Sequence, residues 1–561
     1  LIIQKQDESY TLLISENDSD KLTLQGVHDF LKAEKPDARY NFKVQRGWES
    51  PFHYFSEVKK HGNQSVLRLL SGHLDLIKNF NIPNLPKTQS EFTEKEIDSS
   101  LKEIISMMPF EPYDYQLKIV KDSLLNPKQM SLACTSAGKS CAIFMIMYFL
   151  YTKNKVGLVC VPNISLTTQI YGDFKDYFHK DYAKERDKFL SNIQLQGGGK
   201  ESTFDTFLTI TTWQSLLNRK EHLSKFEFIL CDEVQRYASD EVSQIIKLTN
   251  NAKYKWGVTG TLPEDPLATM NLIGMFGFPK RYIRACELIE RGLGTPVEII
   301  SFIIKYTDEE KRLFNSLPKG QYAKQLAFIK EHQKRNEFVT DLIIKVKNTG
   351  NTIILGSHTQ HIKDTFIEVM KKLYPDVEVQ NKDITGKKSF EFQKQYGVYF
   401  INGEDNAETR ELTRKILEEK HYIFEFEDSN HITLSENEFY KDTLVKDLID
   451  NYSIYKEIKS INLRNEILIS NYQILSAGVN IRRLFNLIFI SPLKAYTTIT
   501  QSIGRGLRLH PDKKIFRVFD LTDDFGIRKP GGIFYKQYEE RKRHSYNSEG
   551  YPITEKEFNL F

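Results

Sequence analysis

Ala133-Cys134-Thr135-Ser136-Ala137-Gly138-Lys139-Ser140 follows a short apolar strand and precedes the apolar stretch Cys141 to Tyr151. Strand, glycine-containing loop and helix in that order form the setting in which a backbone loop cradles phosphate. Gly138 lets the chain curl so that successive N–H groups face one anion, and the helix N-terminus behind it adds positive potential. Lys139 would neutralise the β- and γ-phosphates of a nucleotide, and the Ser140 hydroxyl would ligate Mg2+. The stretch departs from GxxxxGK[ST] in having Ala133 where the first glycine would stand. A Gly-Lys-Ser inside a loop is also found in ordinary turns, so the loop alone leaves both readings open.

Two further stretches bear on the choice. Phe226 to Cys231 reads as a buried strand ending in Asp232-Glu233-Val234-Gln235. At a strand's carboxyl edge Asp232 can hold Mg2+, and Glu233 can orient and deprotonate an attacking water. An isolated acidic pair is more often a solvated turn; a pair downstream of a phosphate loop, each after a strand, points to ATP hydrolysis. The second stretch is Thr500-Gln501-Ser502-Ile503-Gly504-Arg505-Gly506-Leu507-Arg508. On a helix, Gln501, Arg505 and Arg508 share one face by the i, i+4, i+7 rule. Guanidinium forks match phosphate oxygens bidentately, and such an arginine speeds phosphoryl transfer by about 10³- to 10⁵-fold. Two arginines alone would read as a solvated basic face; the ordered set of three stretches argues for a motor.

Around these stretches, strands Val156 to Val161, Leu208 to Thr211, Phe226 to Cys231 and Trp256 to Thr259 alternate with helical segments. That is the signature of a parallel sheet covered by helices. A second series starts near Val297, with strands at Thr352 to Leu355, Gly397 to Ile401, Glu466 to Ser470, Leu487 to Ser491 and Ile515 to Leu521. The expected architecture is α/β: two tandem parallel-sheet domains behind a small α+β amino-terminal domain. The expected boundaries are 1–95, 96–295, 296–525 with a polar insertion at about 421–463, and a helical extension at 526–561. In the first of these, Gln25 to Lys32 reads as helix and Tyr40 to Trp48 as strand.

The 561 residues suit three or four domains, and 40% hydrophobic with 27% charged residues excludes a disordered or fibrous chain. Lysine plus arginine is 78 against 74 acids, a net +4, so any nucleic-acid binding must come from local patches. Five cysteines without CxxC spacing suggest neither a disulfide framework nor a zinc ribbon, and fit a reducing compartment. His358, His361 and His510 are not spaced as a metal set, which leaves the nucleotide's Mg2+ as the expected metal. Cys141 to Tyr151, the longest apolar run, is too short to span a bilayer, so no membrane association is expected. The numbering opens at Leu1 without a signal-peptide pattern, and a true start upstream is expected.

Taken together, residues 110 to 525 resemble a superfamily 2 helicase. Tyr115-Gln116 looks like the adenine-reading glutamine, and Pro162, Leu166 and Gln169 fall on the pattern PxxxLxxQ. Gly197-Gly198 and Thr211-Thr212-Trp213 resemble backbone-contacting segments, Thr259-Gly260-Thr261 the coupling motif, Ser357-His358 the fourth motif, and Ser476, Gly478 and Asn480 the fifth. The resemblance is nearest to UvsW-type phage recombination helicases, through Gly274-Met-Phe-Gly, Ile401-Asn-Gly-Glu404 and Val518-Phe-Asp520-Leu-Thr-Asp523-Asp524. It implies two RecA-like domains with ATP between them, and ATP-driven remodelling of branched DNA. Nucleotide would be bound by Gln116, Thr135, Ser136, Ala137, Gly138, Lys139, Ser140, Cys141, Gly478 and Asn480, with Mg2+ on Ser140 and Asp232. Nucleic acid would meet Pro162, Asn163, Gln169, Gly197, Gly198, Thr211, Thr212, Trp213, Ser357, His358 and Ser476. Single-strand-binding or recombination proteins would be partners, and the host cytoplasm the location. The family pattern often has His or Asp at the position of Gln235, which hydrogen-bonds but cannot titrate.

Three readings stay open here. Arg39 to Trp48 interleaves cations and aromatics, which suits base stacking, yet a half-buried strand with a charged face explains it as well. No residue settles DNA against RNA. A motor subunit of a restriction-type complex is a further alternative, although no nuclease-like carboxylate set is visible in the tails.

Overall fold

A computed structural model of the chain describes all residues except 36–37, 39–40, 81, 87–88, 197–203, 318–321, 385–388, 404, 406, 427–430, 436–457, 473–480, 493–495 and 528. The chain forms two compact units, Leu1–Arg284 and Ala285–Phe561.

The first unit opens with an antiparallel sheet built from β1 (Ile2–Lys5) and β2 (Tyr10–Ile14). A helix, Asp18–Phe30, follows, started by Asn17, whose side chain accepts from the Asp20 N–H. The ribbon of β3 (Lys32–Glu34) and β4 (Phe52–Tyr54) leads to β5 (Ser56–His61) and β6 (Gln64–Leu70), in sheet order β1-β2-β6-β5. The stretch expected as a strand at Tyr40 to Trp48 is instead a helical turn, Phe42–Gln45, capped by Asn41. Its alternation of rings and cations belongs to a loop tip with Phe42 and Trp48 exposed, not to a sheet face.

The parallel sheet follows: β7 (Lys128–Ala133), β8 (Gly157–Val161), β9 (Ile193–Leu195), β10 (Leu208–Thr212), β11 (Phe228–Asp232), β12 (Tyr254–Thr259) and β13 (Pro279–Ile283). The order is β13-β7-β12-β11-β8-β10-β9, and every pairing is parallel. β8 and β10 are buried along their whole length, as strands covered on both faces must be. The four strands expected from the sequence are present; β9 and β13 are edge strands whose short or charged stretches gave no apolar run.

A close approach joins the small sheet to this one. The Cβ of an alanine at Gly72 would lie 2.2 Å from the Ile273 carbonyl oxygen, and one at Gly274 would lie 2.7 Å from the His73 ring. His73 is fully buried with Nε2 2.9 Å from the Met270 carbonyl, and burial lowers its pKa to about 4. Lys255, buried on β12, reaches Ser9 and donates to the Ile246 carbonyl at 2.9 Å. The Gly274-Met-Phe-Gly stretch thus serves docking of the amino-terminal module.

The second unit repeats the architecture with β14 (Val297–Lys305), β15 (Thr352–Gly356), β16 (Val398–Ile401), then an antiparallel trio β17 (His421–Phe426), β18 (His431–Ser435) and β19 (Ile458–Arg464), and β20 (Ile467–Asn471), β21 (Asn486–Phe489), β22 (Phe516–Asp524) and β23 (Ile553–Asn559). The large sheet runs β16-β20-β15-β21-β22-β14-β23, all parallel. The two seven-stranded parallel sheets with covering helices are tandem RecA-like domains. The described parts of the polar stretch at 421–463 form the trio β18-β17-β19. The expected helical extension at 526–561 holds the helix Ile533–Arg541 but ends in β23, whose Glu-Lys alternation marks an exposed edge strand.

The acids of Asp520-Leu-Thr-Asp523-Asp524 are structural. Buried Arg541 grips Asp520 at 2.9 and 3.0 Å, and Tyr546 donates to the same carboxylate at 2.6 Å. Buried Arg335 grips Asp523 at 2.7 and 3.0 Å beside Tyr306, and Lys305 pairs with Asp524 at 2.7 Å. Breaking such a buried pair from one side costs about 3–5 kcal/mol.

The docking geometry predicts opposite effects of one substitution. Gly72→Ala should destabilise the first unit by about 1–3 kcal/mol through overpacking. Gly172→Ala, in the helix Ile164–Asp176 with open space around it, should stabilise by about 0.5–1 kcal/mol. Denaturant unfolding checks both; equal midpoints would contradict the close approach.

Candidate functional site

β7, β12 and β11 are neighbours, with Thr259 opposite Leu132 and Asp232 opposite Val258. The three segments that leave their carboxyl ends therefore meet. These are the loop Cys134–Gly138, the segment Thr259–Thr261 and the acidic turn Asp232–Gln235. Parallel sheets bind ligands at this edge.

The loop turns into the helix Lys139–Thr152 through Gly138, at φ +69°, where a Cβ would stand 2.5 Å from Gln116 Nε2. Gln116 is buried, and its amide is used at both ends. Nε2 donates to the carbonyls of Ala137 at 3.0 Å and Gly138 at 3.2 Å, and Oε1 accepts from the Tyr113 N–H at 2.9 Å. Tyr115 adds a bond to the Ala137 carbonyl at 2.9 Å. Gln116 thus braces the loop from within. Among the described residues, the hydrogen bonds of Lys139 Nζ are long, 3.4 and 3.5 Å, to the carbonyls of Ala133 and Cys134. Ser140 Oγ lies 2.6 Å from the Tyr177 hydroxyl. No sequence signal points to Tyr177, which lies 37 residues away and reaches Ser140 only through the fold.

The acidic turn holds two unusual features. Glu233 sits at φ +50°, ψ +53°, a left-handed conformation costing a non-glycine residue about 1–2 kcal/mol. Asp232 is half-buried, and burial, then the charge of Glu233, push its pKa up to about 7 against the counter-pull of Lys139. Glu233 N–H donates to Asp232 Oδ1 at 3.0 Å. Gln235 Nε2 donates to Glu233 Oε2 at 2.8 Å, and its Oε1 faces the Thr259 hydroxyl. That hydroxyl also lies 2.8 Å from the Thr261 carbonyl and accepts from the Thr261 N–H at 3.1 Å. Its single proton serves one acceptor at a time, so the chain Glu233–Gln235–Thr259–Thr261 has two hydrogen-bond states. A Cβ at Gly260 would stand 3.5 Å from the N–H and hydroxyl of Thr135, so this segment lies against the loop.

The donor set fits a polyphosphate with a divalent cation. A lysine with only long carbonyl contacts, a left-handed glycine at a helix start and a carboxylate whose charge is poorly supported would all be relieved by them.

The same sheet edge continues to β8 and β10. Pro162 is buried, and Asn163 caps the next helix, accepting from the Leu166 N–H at 3.0 Å, while Gln169 is exposed. Thr211 and Thr212 are buried, Thr212 capping the turn Trp213–Leu217, and Trp213 is half-exposed. Gly197 and Gly198 lie outside the described residues.

In the second unit, Ser357 and His358 are exposed just after β15. Gln501 is buried and Arg505 half-buried on the helix Tyr496–Gly506. Arg508 lies beyond that helix, so the expected single face of three holds for Gln501 and Arg505 only. Gly506 ends the helix, and a Cβ there would meet the Phe516 ring at 2.2 Å. The chain beyond it is pinned by Thr295, which donates to the Arg508 carbonyl at 2.9 Å. Ser476, Gly478 and Asn480 lie outside the described residues.

Comparison with known proteins adds four findings. The family described as type III restriction enzyme, res subunit, matches residues 109–264. The ATP-dependent DNA helicase uvsW of Enterobacteria phage T4 is 25% identical over 545 residues, 93% of this chain and 91% of that protein. Among solved structures, T4 UvsW aligns over 100% of this chain and 99% of its own at 23% identity and a TM-score of 0.42. A fragment of a putative HsdR subunit of a type I restriction enzyme from Vibrio vulnificus YJ016 aligns over 82% and 72% at 15% and 0.49.

Lys139→Ala should abolish ATP hydrolysis while moving the unfolding free energy by no more than about 0.5 kcal/mol, because its contacts within the protein are long. Steady-state turnover and an unfolding curve on one preparation check this; retained turnover would remove Lys139 from the site.

Proposed function

We infer that this chain, a superfamily 2 helicase most similar to the UvsW type, is an ATP-dependent DNA helicase or translocase. Its task is remodelling branched DNA, by junction migration, fork regression and unwinding, in phage recombination, replication and repair. The observation that carries the reading is the meeting of Lys139, Asp232, Glu233 and Thr259–Thr261 at three adjacent strand ends. The chain that holds them aligns with an ATP-dependent DNA helicase over 93% of its length.

In this reading Lys139 leaves its carbonyl contacts for the β- and γ-phosphates, and the N–H groups from Thr135 to Cys141 wrap them. Ser140 and Asp232 would hold Mg2+, which supplies neutralisation of phosphate charge. Glu233, aimed by its left-handed backbone, orients the attacking water and takes its proton. Gln235 then reports the state of Glu233 to Thr259, and Thr259, Gly260 and Thr261 carry it onward. This relay runs by hydrogen-bond exchange, so Gln235 can perform it without titrating. Gln501, Arg505 and Arg508 stabilise the charge of the transferring phosphoryl group, with Gly478 and Asn480 completing the nucleotide contacts.

Pro162, Asn163, Gln169, Gly197, Gly198, Thr211, Thr212, Trp213, Ser357, His358 and Ser476 are assigned to nucleic acid. Because Thr211 and Thr212 are buried, their segment would grip through backbone groups and Trp213. Such contacts read phosphates, not bases, and make binding salt-sensitive. The working division is an accessory domain at 1–95, motor domains at 96–295 and 296–525, and an extension at 526–561. Single-strand-binding or recombination proteins are the partners this task would bring, in the cytoplasm of the infected cell. No helix among the described residues is long and apolar enough to cross a membrane.

ATPase stimulation by single-stranded DNA, RNA of equal length and a four-way DNA junction tests the reading. The two DNAs should stimulate and RNA should not. Arg505→Ala and Arg508→Ala should each cut stimulated turnover by about 10³-fold with nucleotide binding kept. Equal stimulation by RNA would overturn the substrate, and unchanged turnover in both variants would overturn the arginine role.

A further inference from the structure

The segment Asn41-Phe42-Lys43-Val44-Gln45-Arg46-Gly47-Trp48 joins β3 to β4 and is built to hold two aromatic rings in water. The Asn41 side chain accepts from the Lys43 N–H at 3.0 Å and starts the turn. Gly47, at φ +72°, reverses the chain; its N–H donates to the Val44 carbonyl at 3.0 Å, and the Trp48 N–H to the Lys43 carbonyl at 2.8 Å. Trp48 is thereby folded back on Phe42, centroids 5.7 Å apart at 87°, and Arg46 lies 4.9 Å from the Phe42 centroid. The Lys35 N–H donates to the Pro51 carbonyl at 2.8 Å and closes the tip at its base.

This ordered turn leaves Trp48 68% and Phe42 55% exposed. Trp256, by contrast, is 1% exposed, so the chain has a place for an indole inside its sheet. Rings held at a loop tip by a network of main-chain bonds offer large flat surfaces at low entropic cost of binding. The surrounding charge selects what meets them. Residues 32–61 carry seven lysines and arginines against four acids, including Lys43 and Arg46 at the tip and Lys59 and Lys60 on the neighbouring hairpin. Exposed π-faces beside cations match unpaired nucleobases on a phosphate backbone.

We propose that Trp48 and Phe42, with Arg46 and Lys43 beside them, form a stacking site for unpaired nucleobases, placed on the amino-terminal module. The inference rests on the reading above that the chain works on nucleic acid, and adds a base-contacting element separate from the phosphate-gripping segments. Stacking there would engage bases that are already splayed out, as at a branch point, without reading their sequence.

The test uses the full chain and branched DNA carrying 2-aminopurine in a single-stranded arm. Wild type should quench the probe in a saturable way. Trp48→Ala with Phe42→Ala should abolish the quench and weaken binding of the branched DNA by about tenfold or more. Trp48→Phe should keep most of both, since a ring is retained. Melting temperature and DNA-free ATPase should be unchanged in all three proteins, because both side chains are exposed and remote from the phosphate loop in sequence. Quench and affinity unchanged in the double variant would overturn the proposal, as would loss only of binding to another protein. A wild type whose ATPase no DNA stimulates would instead overturn the reading on which the proposal rests.

Discussion

The change from β7 to a helix within five residues is the constraint on which the site depends. A strand's carboxyl end and a helix's amino end must meet in one loop, and the backbone that joins them here takes positive φ at Ser136 and Gly138. That turn puts Lys139 at the start of the helix. Gln116 and Tyr115 hold the turn from behind by bonding its carbonyls. Because those bonds are made within the protein, the loop is organised before any anion arrives, which is the condition for binding without a reorganisation cost.

Parallel pairing does the rest. With β12 between β7 and β11, the loop Cys134–Gly138, the segment Thr259–Thr261 and the acidic turn cannot avoid one another. The strained backbone at Glu233 and the poorly supported charge on Asp232 sit at this junction, as stored strain and shifted ionisation do at sites of chemistry. The acids at the end of β22 show the opposite case. Asp520 and Asp523 are fully engaged by Arg541 and Arg335, and each fastens a peripheral element to the second sheet. Acid content alone does not distinguish the two edges.

Much of this was legible in the sequence because it depends on local pattern. Buried parallel strands are continuous apolar runs, so the central strands of both sheets could be placed, and the residues at their carboxyl ends followed. What was not legible depends on distance or on edges. Edge strands β13 and β23 carry charge and give no apolar run. The turn at Phe42–Gln45 imitates a strand because ring and cation alternate for reasons of exposure. Arg508 falls off its expected face because the helix ends at Gly506. The contact of Tyr177 with Ser140 and the internal use of Gln116 arise only when helices are packed, and no spacing rule encodes them. The role of Gln235 was partly legible: an amide there could bond but not titrate, and the structure supplies Thr259 as its partner.

The central claim is that the loop before Lys139 is a phosphate cradle kept in readiness. A crystal structure with Mg2+ and a non-hydrolysable ATP analogue tests it most directly. The account predicts Lys139 Nζ drawn off the Ala133 and Cys134 carbonyls onto the β- and γ-phosphates, with Ser140 released from Tyr177. An analogue bound elsewhere, with Lys139 and Ser140 still on their present partners, would contradict it.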